Sequence, residues 1–303
     1  MSFTSDIKSE LAEAVPQVRS ACLAELSALT VAMRQTKTAD GGVSLSIFTE
    51  NEFAARKYFT LFRKSLKVYI GVCVRTMQKK RSYILTVTGR EAVDSFMRAL
   101  KMEPGGEKKV SPLLCKDSDG RRAALRGYFL SCGRINDPQK GYHLEMTVQG
   151  EQTAEQIVEL LGYFSLEGRI TSRNRRRVVY IKDSESIADF LKVVGAVKAL
   201  LWFENARVYK DMRGRVNRKV NCEAANITKT VSAAARQRED IILIEKNIGL
   251  SHLPAELRDM AELRLDNPDA TLAELGDMFS PPLGKSGVNH RLRRLSKMAD
   301  PFR

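Results

Sequence analysis

The stretch Leu125-Arg126-Gly127-Tyr128-Phe129-Leu130-Ser131-Cys132-Gly133 decides how this chain folds. Its apolar residues return at helical spacing, so it reads as a helix with a buried face. Gly127 and Ser131 stand one turn apart, and residues this small let a second helix approach closely. The chain supplies that second helix 99 residues earlier, where Leu26-Ser27-Ala28-Leu29-Thr30-Val31-Ala32 lies over 125–131. At the same offset the alternating run Val43-Ser44-Leu45-Ser46-Ile47 lies over Tyr142-His143-Leu144-Glu145-Met146, and the helical run 55–62 lies over 154–161. After a five-residue shortening the offset becomes 94: Leu85-Thr86-Val87 falls on Val179-Tyr180-Ile181, and 92–96 on 186–190. Apolar positions match throughout, although identities are few. Each half therefore reads helix, strand pair, helix, strand pair, helix.

The halves meet at the breaker-rich Glu103-Pro104-Gly105-Gly106-Glu107-Lys108-Lys109. We divide the chain into a duplicated α+β domain at 1–204, with repeats at about 1–104 and 105–204. A basic linker with a bridging helix pair follows at 205–250, and an all-α domain at 251–303. The last fifty residues predict three helices. Leu257, Met260, Ala261 and Leu265 line the first. Thr271-Leu272-Ala273-Glu274 is a capping-box pattern that starts the second. Ser280-Pro281-Pro282-Leu283-Gly284 turns the chain into the third, where Val288, Leu292 and Leu295 form the apolar stripe.

The 303 residues carry 50 Lys+Arg against 36 Asp+Glu, a net charge of +14. Such an excess favours a polyanionic partner, most often nucleic acid. It is unevenly placed: residues 221–303 hold 12 basic and 12 acidic residues, so all of the +14 lies in 1–220. Within the neutral tail, the span 284–303 holds six basic residues and one acidic. The third helix thus carries the cations while the first two carry the acids, as a helix-turn-helix reader of DNA requires. Lys285, Ser286, Asn289, His290, Arg291, Arg293 and Arg294 are its candidate contacts. Asn289 is expected to point away from the core and bind an adenine edge, with Arg291 and Arg294 gripping the backbone. The competing reading is a three-helix interaction domain with a solvated charged helix. Five scattered cysteines without a CxxC pair, and only three histidines, give no pattern for a disulfide framework or a structural zinc. No run of about 18 apolar residues and no secretory signal is present, so a cytoplasmic protein without a membrane partner is expected.

The nine-residue stretch 125–133 resembles the LAGLIDADG helix of homing endonucleases, and its first copy is read at 26–34. In active nucleases of that kind the eighth position is a carboxylate that holds a divalent metal at the scissile phosphate. Here the eighth positions read Met33 and Cys132, both poor ligands for Mg²⁺, and Asp137 is expected on the wrong side of the helix end. The resemblance therefore implies a degenerate, two-repeat endonuclease-like domain with no catalytic residues, metal or cofactor. Two basic hairpin turns occupy equivalent places in the repeats: Lys79, Lys80 and Arg81 in one, Arg173, Arg175, Arg176 and Arg177 in the other. In nucleases of this fold such loops touch phosphates.

Over essentially its full length the chain resembles the WhiA family of sporulation and cell-division regulators of Gram-positive bacteria. The most specific stretches are 125–130 through 141–145, Arg215-Val216-Asn217-Arg218-Lys219-Val220-Asn221-Cys222-Glu223-Ala224-Ala225-Asn226, and Lys285-Ser286-Gly287-Val288-Asn289-His290-Arg291-Leu292-Arg293-Arg294-Leu295. Met33-Arg34 departs from the family's usual small residue and glycine. The resemblance implies a helix-turn-helix like those of promoter-reading sigma factors. It also implies sequence-specific binding of double-stranded promoter DNA without nuclease activity, and a nucleoid-associated transcriptional regulator tied to cell division, the cell cycle or sporulation. A partner regulator protein is compatible with it. The rival reading is a cell-division scaffold that binds DNA only non-specifically.

Overall fold

In the computed structural model, residues 2–30, 33–37, 43–77, 80–102 and 109–303 are described, with only the backbone for 33–37 and 80. The chain forms two units, Met1–Lys210 and Asp211–Arg303. The first opens with α1 (Phe3–Glu13), followed by two copies of one motif. The first copy is α2 (Arg19–Leu29), β1 (Met33–Lys37), β2 (Val43–Thr49), α3 (Glu52–Ser65), β3 (Gly71–Met77), β4 (Lys80–Thr88) and α4 (Arg90–Ala99). The second is α5 (Ser118–Cys132), β5 (Gly133–Ile135), β6 (Leu144–Val148), α6 (Glu151–Tyr163), β7 (Arg169–Arg173), β8 (Arg176–Ile181) and α7 (Ser184–Val194). Both sheets are antiparallel, in the orders β1-β2-β4-β3 and β5-β6-β8-β7. The register confirms both sequence offsets: Leu45 opposes Val87 as Leu144 opposes Ile181.

Local chemistry sets the helix starts. Asn51, Asp117 and Asp183 accept the backbone N–H of Ala54, Gly120 and Ser186, capping α3, α5 and α7. Helices α2 and α5 pack face to face at the centre of the unit. Gly127 makes this possible, because a Cβ there would lie 2.4 Å from the Glu25 carbonyl oxygen and 2.7 Å from Ala28 Cβ. Ala28 is Gly127's counterpart at offset 99, so each helix meets its own equivalent across a pseudo-twofold. Against this contact Glu25 is fully buried, 3.1 Å from both Lys57 and Arg126. Lys57 donates to the carbonyls of Leu11 and Ala14, and Arg126 to that of Val194. Glu25 Oε1 faces the Lys57 ammonium and Oε2 the Arg126 guanidinium, so each carboxylate oxygen has its own cation. Burial raises the Glu25 pKa and lowers that of Lys57, each against the pull of its partners.

The motif copies differ from expectation at one position. Helix α2 ends at Leu29, and Met33 opens β1, opposite Ile47. Its equivalent is Gly133, which opens β5 opposite Met146. Met33 is therefore a strand residue and, by strand register, the counterpart of Gly133 and not of Cys132: the offset of 99 between the central helices becomes 100 at the first strand. By register the counterpart of Cys132 falls at Ala32, outside the described residues.

The expected linker and bridging helix pair are instead one helix, α8 (Val197–Asn247). Ala199 and Phe203 enter the first core, and Ile241 and Ile244 enter the second. Between 208 and 233 the helix is almost wholly exposed. No proline interrupts it, although Gly214, Asn217, Asn221, Thr228 and Thr230 are weak helix formers. The second unit continues with α9 (Ala255–Asp266), α10 (Leu272–Asp277) and α11 (Lys285–Ala299). Leu257, Met260, Leu275, Val288, Leu292 and Leu295 fill its core as the apolar stripes predict. The capping box at Thr271 and Glu274 forms in both directions. No helix is long and apolar enough to cross a membrane among the described residues.

Candidate nucleic-acid interface

The second unit presents α11 through a tightly closed turn. A Cβ on Gly276 would sit 2.0 Å from the Leu283 carbonyl oxygen, and Leu283 N–H donates to the Gly276 carbonyl at 2.9 Å. Gly287 packs against the Leu283 side chain in the same way. Arg264, 2% exposed, donates to the carbonyls of Asn267, Pro268 and Ala270 and braces the α9–α10 connection. With Val288, Leu292 and Leu295 buried, Ser286, His290, Arg293, Arg294 and Lys297 form an exposed stripe at helical spacing.

Two candidate residues lie elsewhere than expected. Asn289 is half-buried and, with Lys285, lines a groove of about 500 Å³ bounded by Lys229, Thr230 and Gln237 of α8 and by the start of α10. It sits on the flank of the helix, between the buried stripe and the outward row of Arg293, where it borders the groove. The Arg291 guanidinium lies 5.2 Å from the Phe279 ring centre and is half-buried, a stacked contact that holds it near the turn.

In the first unit, strand alternation sorts the basic residues by face. Leu144, Met146, Val179 and Ile181 point to the helices. The opposite, open face of that sheet carries Arg134, Arg169, Arg173 and Arg176, all exposed. None of the four has an ion pair among the described residues, and Arg134 and Arg169 escape a search for charge runs because alternation separates them from their neighbours. Asn174 and Arg175 form the hairpin turn, both with positive φ (50° and 61°). Asparagine accepts this conformation readily. Arginine does so at a cost of about 1 kcal/mol, and the Arg173–Arg176 pairing puts it at the tip of the hairpin. Arg177 alternates to the other face, where it pairs with Glu151 and donates to Ser172, so it is not a free cation of the loop. In the first repeat Arg75 lies on the open face and Arg81 is exposed. Lys79 is outside the described residues, and Lys80 is placed only by its backbone pairing with Met77.

At the end of α5 the Cys132 thiol donates to the Tyr128 carbonyl at 3.1 Å, and burial raises its pKa. A neutral thiol has no hold on a hard cation. Asp137, expected on the far side, opens onto the same cavity as Cys132, together with Glu145. Among the described residues no cluster of three or more His, Cys, Asp or Glu is arranged to hold a metal, and all five cysteines are free.

Family models follow this architecture along the chain. A WhiA N-terminal LAGLIDADG-like domain matches residues 19–102, a WhiA LAGLIDADG-like domain 121–213, and a WhiA C-terminal HTH domain 216–299. The chain is 39% identical over 312 residues to a probable cell division protein WhiA of Clostridium beijerinckii, covering all of this chain and 99% of that protein. It is 42% identical over 313 residues to one of Desulforamulus reducens, covering all of this chain and 97% of that protein. The crystal structure of full-length WhiA from Thermatoga maritima matches at a TM-score of 0.61 and 30% identity, covering all of this chain and 99% of that one. Three consecutive domains and near-complete coverage at about 40% identity leave one conclusion: the chain belongs to the WhiA family.

Proposed function

We propose that this protein is a sequence-specific DNA-binding regulator of transcription linked to cell division, chromosome segregation or sporulation, acting in the cytoplasm on nucleoid DNA, and that it does not cut DNA. The exposed stripe of α11 carries the reading. Ser286 and His290 lie in its first two turns, the part of a recognition helix that reaches base edges. Arg293, Arg294 and Lys297 follow, positioned for phosphates. The unpaired arginines on the open face of the second sheet add sequence-independent affinity. The neutral thiol at Cys132 supports the non-catalytic part of the reading.

The test is duplex binding to sites found by genome-wide mapping, set against scrambled duplexes. We expect Arg294→Ala to weaken binding to every sequence by a similar factor. His290→Ala and Ser286→Ala should erode the preference for the mapped site, while Asn289→Ala largely preserves it. A His290→Ala variant that loses affinity for both duplexes equally would remove base reading from this face. Cleavage of the mapped site in Mg²⁺ or Mn²⁺ that tracks with the purified protein would defeat the non-enzyme reading.

One observation favours a second role, contact with a partner protein. Val208, Met212, Val216, Val220, Ile227 and Val231 of α8 are all exposed, an apolar row unusual on a solvated helix. A protein that binds DNA with no preference for mapped sites, yet needs this row in the cell, would be a scaffold.

A further inference from the structure

Beside Cys132 lies a cavity of about 890 Å³, lined by the first turn of α1 and by Lys8, Cys132, Arg134, Asp137, Lys140 and Glu145. Lys8 is the unusual member. It is 7% exposed, with no hydrogen-bond acceptor and no carboxylate partner among the described residues. Among the described residues only the Phe129 ring, 5.8 Å from Nζ, and the neighbouring Cys132 sulfur favour its charge. An ammonium so placed lacks a counter-charge that the chain itself does not provide. The two carboxylates on the cavity are otherwise engaged: Glu145 lies 3.4 Å from His143, and Asp137 accepts the Gln139 N–H at 2.9 Å. Arg134 and Lys140 stand exposed at the rim. The first turn of α1 adds the positive end of a helix of 11 residues.

We propose that this cavity binds a phosphate group, with the Lys8 ammonium beside Cys132 standing where a nuclease of this fold would hold an acid and its metal. A metal at that place would bring a phosphodiester and activate its cleavage. An ammonium can hold the phosphate but supplies no metal-bound hydroxide, so binding persists without chemistry. The phosphate can come from the backbone of DNA lying on the open sheet faces, which rests on the function proposed above, or from a free phosphorylated small molecule.

The experiment uses the full chain and four proteins: wild type, Lys8→Met, Lys8→Arg, and an Arg173→Gln/Arg175→Gln/Arg176→Gln loop variant, with thermal melts to confirm folding. Duplex affinity is measured by fluorescence anisotropy over a series of KCl concentrations. ATP and inorganic phosphate binding are measured separately by equilibrium dialysis. If the ligand is a DNA phosphate, the Lys8→Met slope of log affinity against log salt becomes shallower by about 0.9 and Lys8→Arg restores it. If the ligand is a small molecule, wild type binds ATP or phosphate and Lys8→Met does not. Lys8→Met behaving as wild type in both arms overturns the inference. Should Lys8→Met misfold, Lys140→Gln at the exposed rim, which is not one of the open-face arginines, takes its place under the same criteria. A changed slope in the loop variant with none in Lys8→Met removes only this cavity and leaves the sheet face as a DNA surface. An unchanged slope in both, with ATP binding lost in Lys8→Met, removes the sheet face and keeps the cavity.

Discussion

Two buried charges of the first unit differ in their partners, one paired and one unpaired, and their variants should separate accordingly. Glu25 is held by Lys57 and Arg126. Glu25→Leu leaves two buried cations facing each other and should cost about 3–5 kcal/mol, read as a lower urea midpoint with an unchanged m-value. Adding Lys57→Met to that variant should recover part of the loss, a coupling that a double-mutant cycle measures. Lys8 has no such partners, and burial lowers its pKa to about 8 from 10.5. Below pH 8 the ammonium is held less favourably in the folded chain than in the unfolded one, a cost to stability of about 3 kcal/mol. Between pH 8 and 10.5 the unfolded chain binds the proton more tightly, so stability rises with pH through that window. Lys8→Met should therefore raise the melting temperature at pH 7, and its advantage over wild type should shrink toward pH 10. An equal advantage at both pH values would mean that Lys8 is not desolvated as described.

Among the elements, the close approaches at glycine decide which helices can meet. Gly127→Ala places a methyl group against the Glu25 carbonyl, so α2 and α5 must separate. Gly276→Ala does the same to the α10–α11 turn through the Leu283 carbonyl. Each should destabilise its own unit by about 1–3 kcal/mol. Thermal unfolding followed by Trp202 fluorescence reports on the first unit, in which Trp202 packs on Phe3 at 4.8 Å. Gly127→Ala should move that transition, whereas Gly276→Ala should leave it in place and reduce DNA affinity instead. The strand pairs show what period-2 patterning can and cannot locate. It placed β2, β4, β6 and β8, whose buried positions are Leu45 and Ile47, Leu85 and Val87, Leu144 and Met146, and Val179 and Ile181. It also determines which arginines share a face, but only once the pairing partner is known. A charge run such as 173–177 looks continuous in sequence, yet alternation sends Arg177 to Glu151 and leaves Arg173 and Arg176 on the open face.

At the scale of the whole molecule, helix α8 belongs to both units and is supported by packing only near its ends. A helix without tertiary contacts opens locally at low free energy. Limited trypsin digestion should therefore cut first within 207–236, which contains Arg207, Lys210, Arg213, Arg215, Arg218, Lys219, Lys229 and Arg236. Two resistant fragments should accumulate, identified by mass. Primary cuts inside either core would contradict the described burial.

The sequence by itself determined the duplication, the order of elements in each repeat, the apolar stripe of α11 and the capping box that starts α10. These follow from spacing, and spacing is written in the chain. It also located Cys132 at the end of the central helix, since its neighbours fix that helix's phase. Only the tertiary structure decided that α8 is continuous, because polar composition alone does not distinguish a solvated helix from a linker. It placed Asn289 at a groove that α8 also lines and Arg291 against Phe279, and left Ser286, His290, Arg293 and Arg294 of the expected contacts exposed, because a helix's exposed side depends on its neighbours in the fold. It brought Lys8, from the first helix, to Cys132, more than a hundred residues away in the chain. No local pattern marks that meeting: a lone lysine on an amphipathic helix reads as solvated until the fold shows its ammonium nearly buried and unpaired.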